Sequence, residues 1–295
     1  STDGTKDLLA RYSAEDEQVK FLVDSMGSMG HAKNLGLDHA RAPYVIFVEP
    51  EDEFHRNALE YMSLKLDEYP EDDMFTCETE CFGDDSYGRT NRDRKQIIAD
   101  SNTNDNRRLE MDNRLMRSWI FDGITMYRTD FLRDNGISHY EVPGYGKQND
   151  AFRFLALVKG VPSLSVEVLY ERRMDLMGLR ITDARMVTDV CDEFRFLEQR
   201  LKEDKDLWWK YRLVFWQAYY DRNMLHYERL SDNLRSRLSK RMQADIKNAI
   251  YHKEYSADHF DIAVRDEMEL LLKSTDDFDR YFIARAKSIM KAIED

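Results

Sequence analysis

The sequence predicts an α/β domain followed by an all-helical region, and three observations carry that prediction. Short apolar runs alternate with helix-periodic segments over residues 1 to about 181, the rhythm of strand and helix units on a mostly parallel sheet. From about Thr182 to the end only helical periodicity continues. Hydrophobic residues make up 42% and charged residues 34%, with 12 Gly and 5 Pro, a globular, helix-leaning composition. A chain of 295 residues can bury a large core, either as one domain or as a domain of about 200 residues with an appended one.

Ser1, Thr2 and Asp3 supply N-cap chemistry for a short amphipathic helix over residues 6 to 12. VKFLVD at 19 to 24 reads as a buried strand, SMGSMG as a loop and HAKNLGLDHA as a second helix. Arg41, Ala42 and Pro43 break that helix, and YVIFV starts the next strand. Strand, helix and strand within about 30 residues is the spacing of a parallel crossover. Residues 55 to 69 form another amphipathic helix, and MFTCETECF at 74 to 82 a further strand. From Gly83 to about Asn106 the chain is polar and unpatterned, a long loop of the functional or disordered kind. SWIFDGITMYRTDFLRDNGI reads as a strand leading into a helix that Asn135 and Gly136 end. KQNDAFRFLALVKGV is a helix, and PSLSVEVLYERR the strand after it. Beyond Thr182, the aromatics Trp208, Trp209, Tyr211, Phe215, Trp216, Tyr219 and Tyr220 read as a helical core rather than a ligand cage. Arg235, Arg237, Lys240 and Arg241 read as a solvated basic face.

The net charge of −13 argues against nucleic acid as a partner and against strong attraction to an anionic membrane. Attachment at a membrane surface stays open. Cys77, Cys81 and Cys191 make an odd count without a CxxC pair, so neither a disulfide framework nor a structural zinc site is expected. With no run of about 18 apolar residues and no leader pattern, the expected setting is cytoplasmic, with room for contact at the inner face of a membrane.

Two stretches carry candidate chemistry. Glu49, Glu51 and Asp52 follow YVIFV directly, at the carboxyl end of a strand, where ligands bind in open α/β sheets. They suit a hard divalent cation, and equally a polar turn whose acids cap the next helix. SMGSMGHAKN could bring backbone amides to a phosphate, with Lys33 adding charge, although GxGxxG and GxxxxGK[ST] are both absent. Asp150 opens a helix after the Gly-containing VPGYGKQN. It is either a substrate-facing acid or an N-terminal acid stabilised by the helix dipole. No HExxH pair and no partnered cysteine supports zinc or thiol chemistry.

Taken in order, these pieces resemble the family 2 glycosyltransferases. STDGT at 1 to 5 matches the tail of a family segment DDGSTDGT, GSMGHAKNLGL at 27 to 37 stands at GGxSxARNxGL, and YVIFVEPED at 44 to 52 at a strand ending DxDD. MYRTDFLRDNGI at 126 to 137 and QNDAFRFLALVKG at 148 to 160 follow, the last at a helix whose first turn carries Glu-Asp. The resemblance runs to about residue 173. It implies a GT-A fold, a Rossmann-like, mostly parallel sheet, over residues 1–181, with residues 182–295 as a helical C-terminal region. It also implies inverting transfer from a nucleotide-diphosphate sugar, most often a UDP-sugar, to a glycan or glycolipid hydroxyl. Asp3, Lys33 and Asn34 would then stand at the donor, Glu49, Glu51 and Asp52 would hold Mg²⁺ or Mn²⁺, and Asp150 would be the general base. Family members place a first strand, a helix and a strand with an Asp pair before STDGT, so the chain is expected to be a fragment of a longer one. Glu replaces Asp at both DxD positions, and Asn149 stands where the family has Glu. These departures motivate an alternative, a catalytically degenerate scaffold or nucleotide-binding module.

Overall fold

The computed structural model describes residues 4–49, 53–82, 124–142, 150–173, 181–262 and 264–294. Among these, β1 (Tyr44–Ile46), β2 (Glu53–Phe54), β3 (Met74–Phe82), β4 (Ile124–Arg128) and β5 (Pro162–Arg173) form one sheet in the order β1-β4-β3-β5-β2. β3 and β5 run parallel, while the β1–β4, β3–β4 and β2–β5 pairings are antiparallel. The sheet is therefore mixed around a parallel centre, because β4 enters between β1 and β3 antiparallel to both. The polar stretch read as a long loop from Gly83 lies outside the described residues.

Side chains alternate across the sheet as a period of two requires. Phe75, Cys77, Ile124, Met126 and Tyr170 pack on one face with Met62 and Leu66 of α3 (Ala58–Glu68). Met74, Tyr127 and Leu164 join the larger core on the other face. That core includes α4 (Thr129–Asp134) and α5 (Asp150–Lys159). Alanine and large apolar residues surround α5 on nearly every side, and Asp150 through Phe152 and Phe154 through Val158 are all buried. A helix apolar all round has to lie between two layers, here the sheet and the C-terminal helices. The α4 terminator behaves as the sequence implies: Gly136 adopts φ 59° and Ile137 donates its N–H to the Leu132 carbonyl at 2.8 Å.

The C-terminal region consists of α6 (Asp189–Lys202), α7 (Lys205–Arg229), α8 (Asp232–Tyr251), α9 (Arg265–Lys273) and α10 (Thr275–Glu294), with two short 3-10 turns. Trp208, Tyr211, Phe215, Trp216, Tyr219 and Tyr220 are buried in the same core as α4 and α5. An isolated bridge between Ile181 and Leu230 spans the expected domain boundary. None of the described helices is long and apolar enough to cross a membrane.

Three local readings differ from the structure. VKFLVD forms no strand: residues 19–24 have no ladder partner among the described residues, and Val23 is 61% exposed. An apolar run becomes a strand only when a neighbour takes up its backbone groups. The first helix, α1 (Thr5–Glu15), is preceded by Gly4 at φ 83° with no side-chain cap, and Ser1, Thr2 and Asp3 lie outside the described residues. The basic face of α8 is not simply solvated. Arg235 is buried over the Tyr227 ring, and Arg241 bridges Asp192 and Asp245.

Candidate active site

The glycine-containing stretch before α2 (Met29–His39) builds a docking joint. Asp24 accepts the N–H groups of Met26 at 2.8 Å and Ser28 at 3.1 Å, which holds its carboxyl below the usual range, the Met26 bond contributing most. Ser28 caps α2 by accepting His31 N–H, and its hydroxyl oxygen also accepts Val142 N–H at 3.1 Å. A Cβ on Gly30 would lie 1.9 Å from the Tyr140 carbonyl oxygen, so only glycine permits this approach. Asn34 completes the joint: its Nδ2 donates to the His139 carbonyl at 3.0 Å and to Glu141 Oε1 at 2.6 Å, while its Oδ1 accepts His139 N–H at 2.8 Å. The amides of residues 26, 28 and 31 thus have protein acceptors. What α2 cradles is the segment 139–142, eight residues before Asp150 at its near end.

Lys33, on the same helix, donates to Glu49 Oε1 at 2.8 Å, in a pair whose side chains are 9% and 16% exposed. Glu49 leaves the end of β1 two residues after Phe47. Phe47 packs edge-on against Phe152 at 5.3 Å between ring centroids, and Phe152 is two residues beyond Asp150. His139 stacks on Phe152 at 4.0 Å. This aromatic cluster brings the β1 end, the 139–142 segment and the start of α5 to one end of the sheet.

Asp150 is 3% exposed, and its Oδ2 accepts a hydrogen bond from Arg222 Nε of α7 at 2.5 Å. A second buried acid, Glu193 of α6, lies alongside. Its Oε1 accepts Ala151 N–H at 3.0 Å, and its Oε2 has no hydrogen-bond partner among the described residues. Burial, and then the Asp150 charge, push Glu193 up to about 8. The arrangement sets two buried carboxyl groups beside one partly exposed guanidinium, a setting suited to accepting and holding protons.

Of the residues singled out by sequence, the fold joins Lys33 to Glu49, commits the Asn34 amide to residues 139 and 141, and buries Asp150. Asp3, Glu51 and Asp52 lie outside the described residues. Sequence reasoning missed Arg222 and Glu193. Glu193 did leave a signal: it falls on the apolar stripe of Val190, Phe194, Leu197 and Leu201, where an acid has to be explained. Arg222 left none, since α7 is buried on several sides and polar residues are scattered along it.

Residues 1–134 match the family model described as glycosyl transferase family 2. Among solved structures, that of S. aureus TarS 1-349 in complex with UDP-GlcNAc aligns over 98% of this chain and 80% of that one, with a TM-score of 0.69 at 14% identity. S. aureus TarS 1-349 and S. aureus TarS also match at 18% and 17% identity, each over 84% of this chain, covering 77% and 46% of theirs, both with a TM-score of 0.46. The 0.69 match, with the family match, makes the fold GT-A. None of the curated proteins matches this chain.

Proposed function

Because residues 1–134 match the glycosyl transferase family 2 model and the fold is GT-A, we propose that this chain is an inverting glycosyltransferase. It moves a sugar from a nucleotide diphosphate, a UDP-sugar, to a hydroxyl of a glycan or glycolipid acceptor. The observation that carries this reading is Asp150, a buried carboxylate held by Arg222 at the first turn of α5 and packed through Phe152 and Phe47 beside the strand end that bears Glu49. The structural neighbour in complex with UDP-GlcNAc supports the choice of UDP-sugar.

In the proposed reaction the acceptor oxygen attacks the anomeric carbon from the face opposite the leaving UDP. Its proton passes to the Asp150 carboxylate, and the bond from anomeric carbon to phosphate oxygen breaks with its electron pair on UDP. Arg222 orients the carboxylate and balances its charge out of water. Asn34 holds the 139–142 segment that precedes Asp150, and Asp3 would contact the donor. The donor set Glu49, Glu51 and Asp52 is all carboxylate oxygen and fits a hard divalent cation, with Lys33 competing for Glu49. Mg²⁺ or Mn²⁺ held there would supply positive charge to the donor diphosphate, and Lys33, freed from Glu49, would add its own. The proposed setting is the cytoplasm, at the inner face of a membrane if the acceptor is a glycolipid.

The Lys33–Glu49 pair and the Glu-for-Asp exchange also favour a second reading, a degenerate module that binds nucleotide without transfer. Calorimetric titration with UDP, with and without Mn²⁺, together with release of UDP from a panel of UDP-sugars separates them. Metal-dependent binding with turnover of one donor supports the enzyme, binding without turnover supports the module, and no binding in either condition contradicts both.

A further inference from the structure

Glu193 lies well outside the family-matched segment, yet it reaches the residue on which the proposed chemistry depends. The helix α6 presents it on its apolar stripe, 1% exposed. One carboxyl oxygen accepts the Ala151 N–H at 3.0 Å, one of the first-turn amides of α5 that no intrahelical carbonyl can satisfy. The other oxygen is buried and has no hydrogen-bond partner among the described residues. Among the described residues the charged or titratable groups facing it are Asp150 of α5, Arg222 of α7 and Tyr140 of the docked 139–142 segment. Among the described residues two buried carboxyl groups share one guanidinium, which leaves an excess of negative charge in a poorly solvated site. Such a cluster is stable when one of the two acids holds a proton.

We propose that Glu193 is a positioning residue for Asp150: it caps the first turn of α5 from the neighbouring helix, and holds a proton of its own, which leaves the Arg222 guanidinium to Asp150. The inference rests on the reading of Asp150 as general base. Assigning the proton to Glu193 follows from contact and burial. Glu193 has the weaker set of partners, while Asp150 has the guanidinium at 2.5 Å, and burial raises the Glu193 carboxyl far above its ordinary range. In the folded protein this group binds more protons than in the unfolded chain between pH 4.5 and about 8. Its contribution to stability is therefore present at low pH and lost as pH rises through that window.

The test uses the whole chain and two variants. For Glu193→Gln, which keeps the shape and the neutral form, the fall in denaturation midpoint between pH 5 and about 8 that this group causes should disappear. For Glu193→Ala, kcat should fall at least about tenfold with the donor KM unchanged. Glu193→Gln should recover most of that loss at neutral pH and lack the wild-type decline in kcat as pH passes about 8. An active wild type whose Glu193→Gln variant keeps the full pH slope of stability, or whose Glu193→Ala variant folds and keeps kcat, overturns this inference alone. A folded wild type that turns over no donor overturns the assignment of Asp150 and this inference with it.

Discussion

Replacing Lys33 by Met removes the cation from a pair whose side chains are 9% and 16% exposed, and takes that partner from the largely covered Glu49 carboxyl. Such half-broken buried pairs cost about 3 kcal/mol. The double variant Lys33→Met, Glu49→Gln should regain most of that loss in chemical denaturation; a double variant as unstable as the single one would show that the pair is not what holds Lys33. His226 gives the opposite pH signature to Glu193. Burial is the main cause that lowers it to about 4, against an ordinary 6.5, while its Nε2 faces the Met186 carbonyl at 2.8 Å. The folded protein then binds fewer protons than the unfolded chain between those values, so stability is full above about pH 6.5 and is lost as pH falls through about 4. Acid titration of the denaturation midpoint should show this loss, and His226→Gln should flatten it. At this scale Lys33, Glu49 and Asp150 could be singled out because each stands in an ordered motif. Arg222 was not, because its meaning comes from a partner 72 residues away.

Helices and strands were read well where apolar period and termini agreed: α3, α4, α5 and β3 lie inside the segments the periodicity marks. What periodicity could not convey is how one element is held by another. Arg133 of α4 caps the end of α2 through the Leu37 and Ala40 carbonyls at 2.8 and 2.7 Å. Arg128 at the end of β4 caps α3 through the carbonyls of Leu66 and Tyr69, and also binds the Asp72 carbonyl at 2.7 Å. Cations at these carbonyl ends satisfy groups that the helices leave open. Arg128→Ala should cost about 2 kcal/mol in denaturation; an unchanged midpoint would mean that water replaces all three bonds. The joint between α2 and 139–142 is stricter. Gly30→Ala puts a methyl carbon 1.9 Å from the Tyr140 oxygen, so α2 or the segment must shift. A fall in both melting temperature and kcat is the expected result, and a fully active, equally stable variant would remove this joint from the account of the site.

For the whole molecule, one apolar core runs from Leu37 through α4 and α5 into α6, α7, α8, α9 and α10. Buried polar ties reinforce it: Tyr219 of α7 bonds Asp245 of α8 at 2.8 Å, and Tyr227 of α7 and Ser239 of α8 bond Asp279 of α10 at 2.8 and 3.1 Å. The change of pattern near residue 182 therefore marks a change of layer rather than a separable unit. A chain ending at residue 181 should lack cooperative unfolding, whereas the whole chain should unfold in one transition by circular dichroism. The same layering lets the helical region supply Arg222 and Glu193 to the proposed site. The central claim, that Asp150 takes the acceptor's proton, is tested most directly by release of UDP from its sugar donor in the presence of Mn²⁺, wild type beside Asp150→Asn. The account predicts release that falls by about 10²- to 10⁴-fold in the variant while its affinity for UDP is unchanged. Equal release by the two folded proteins would contradict it.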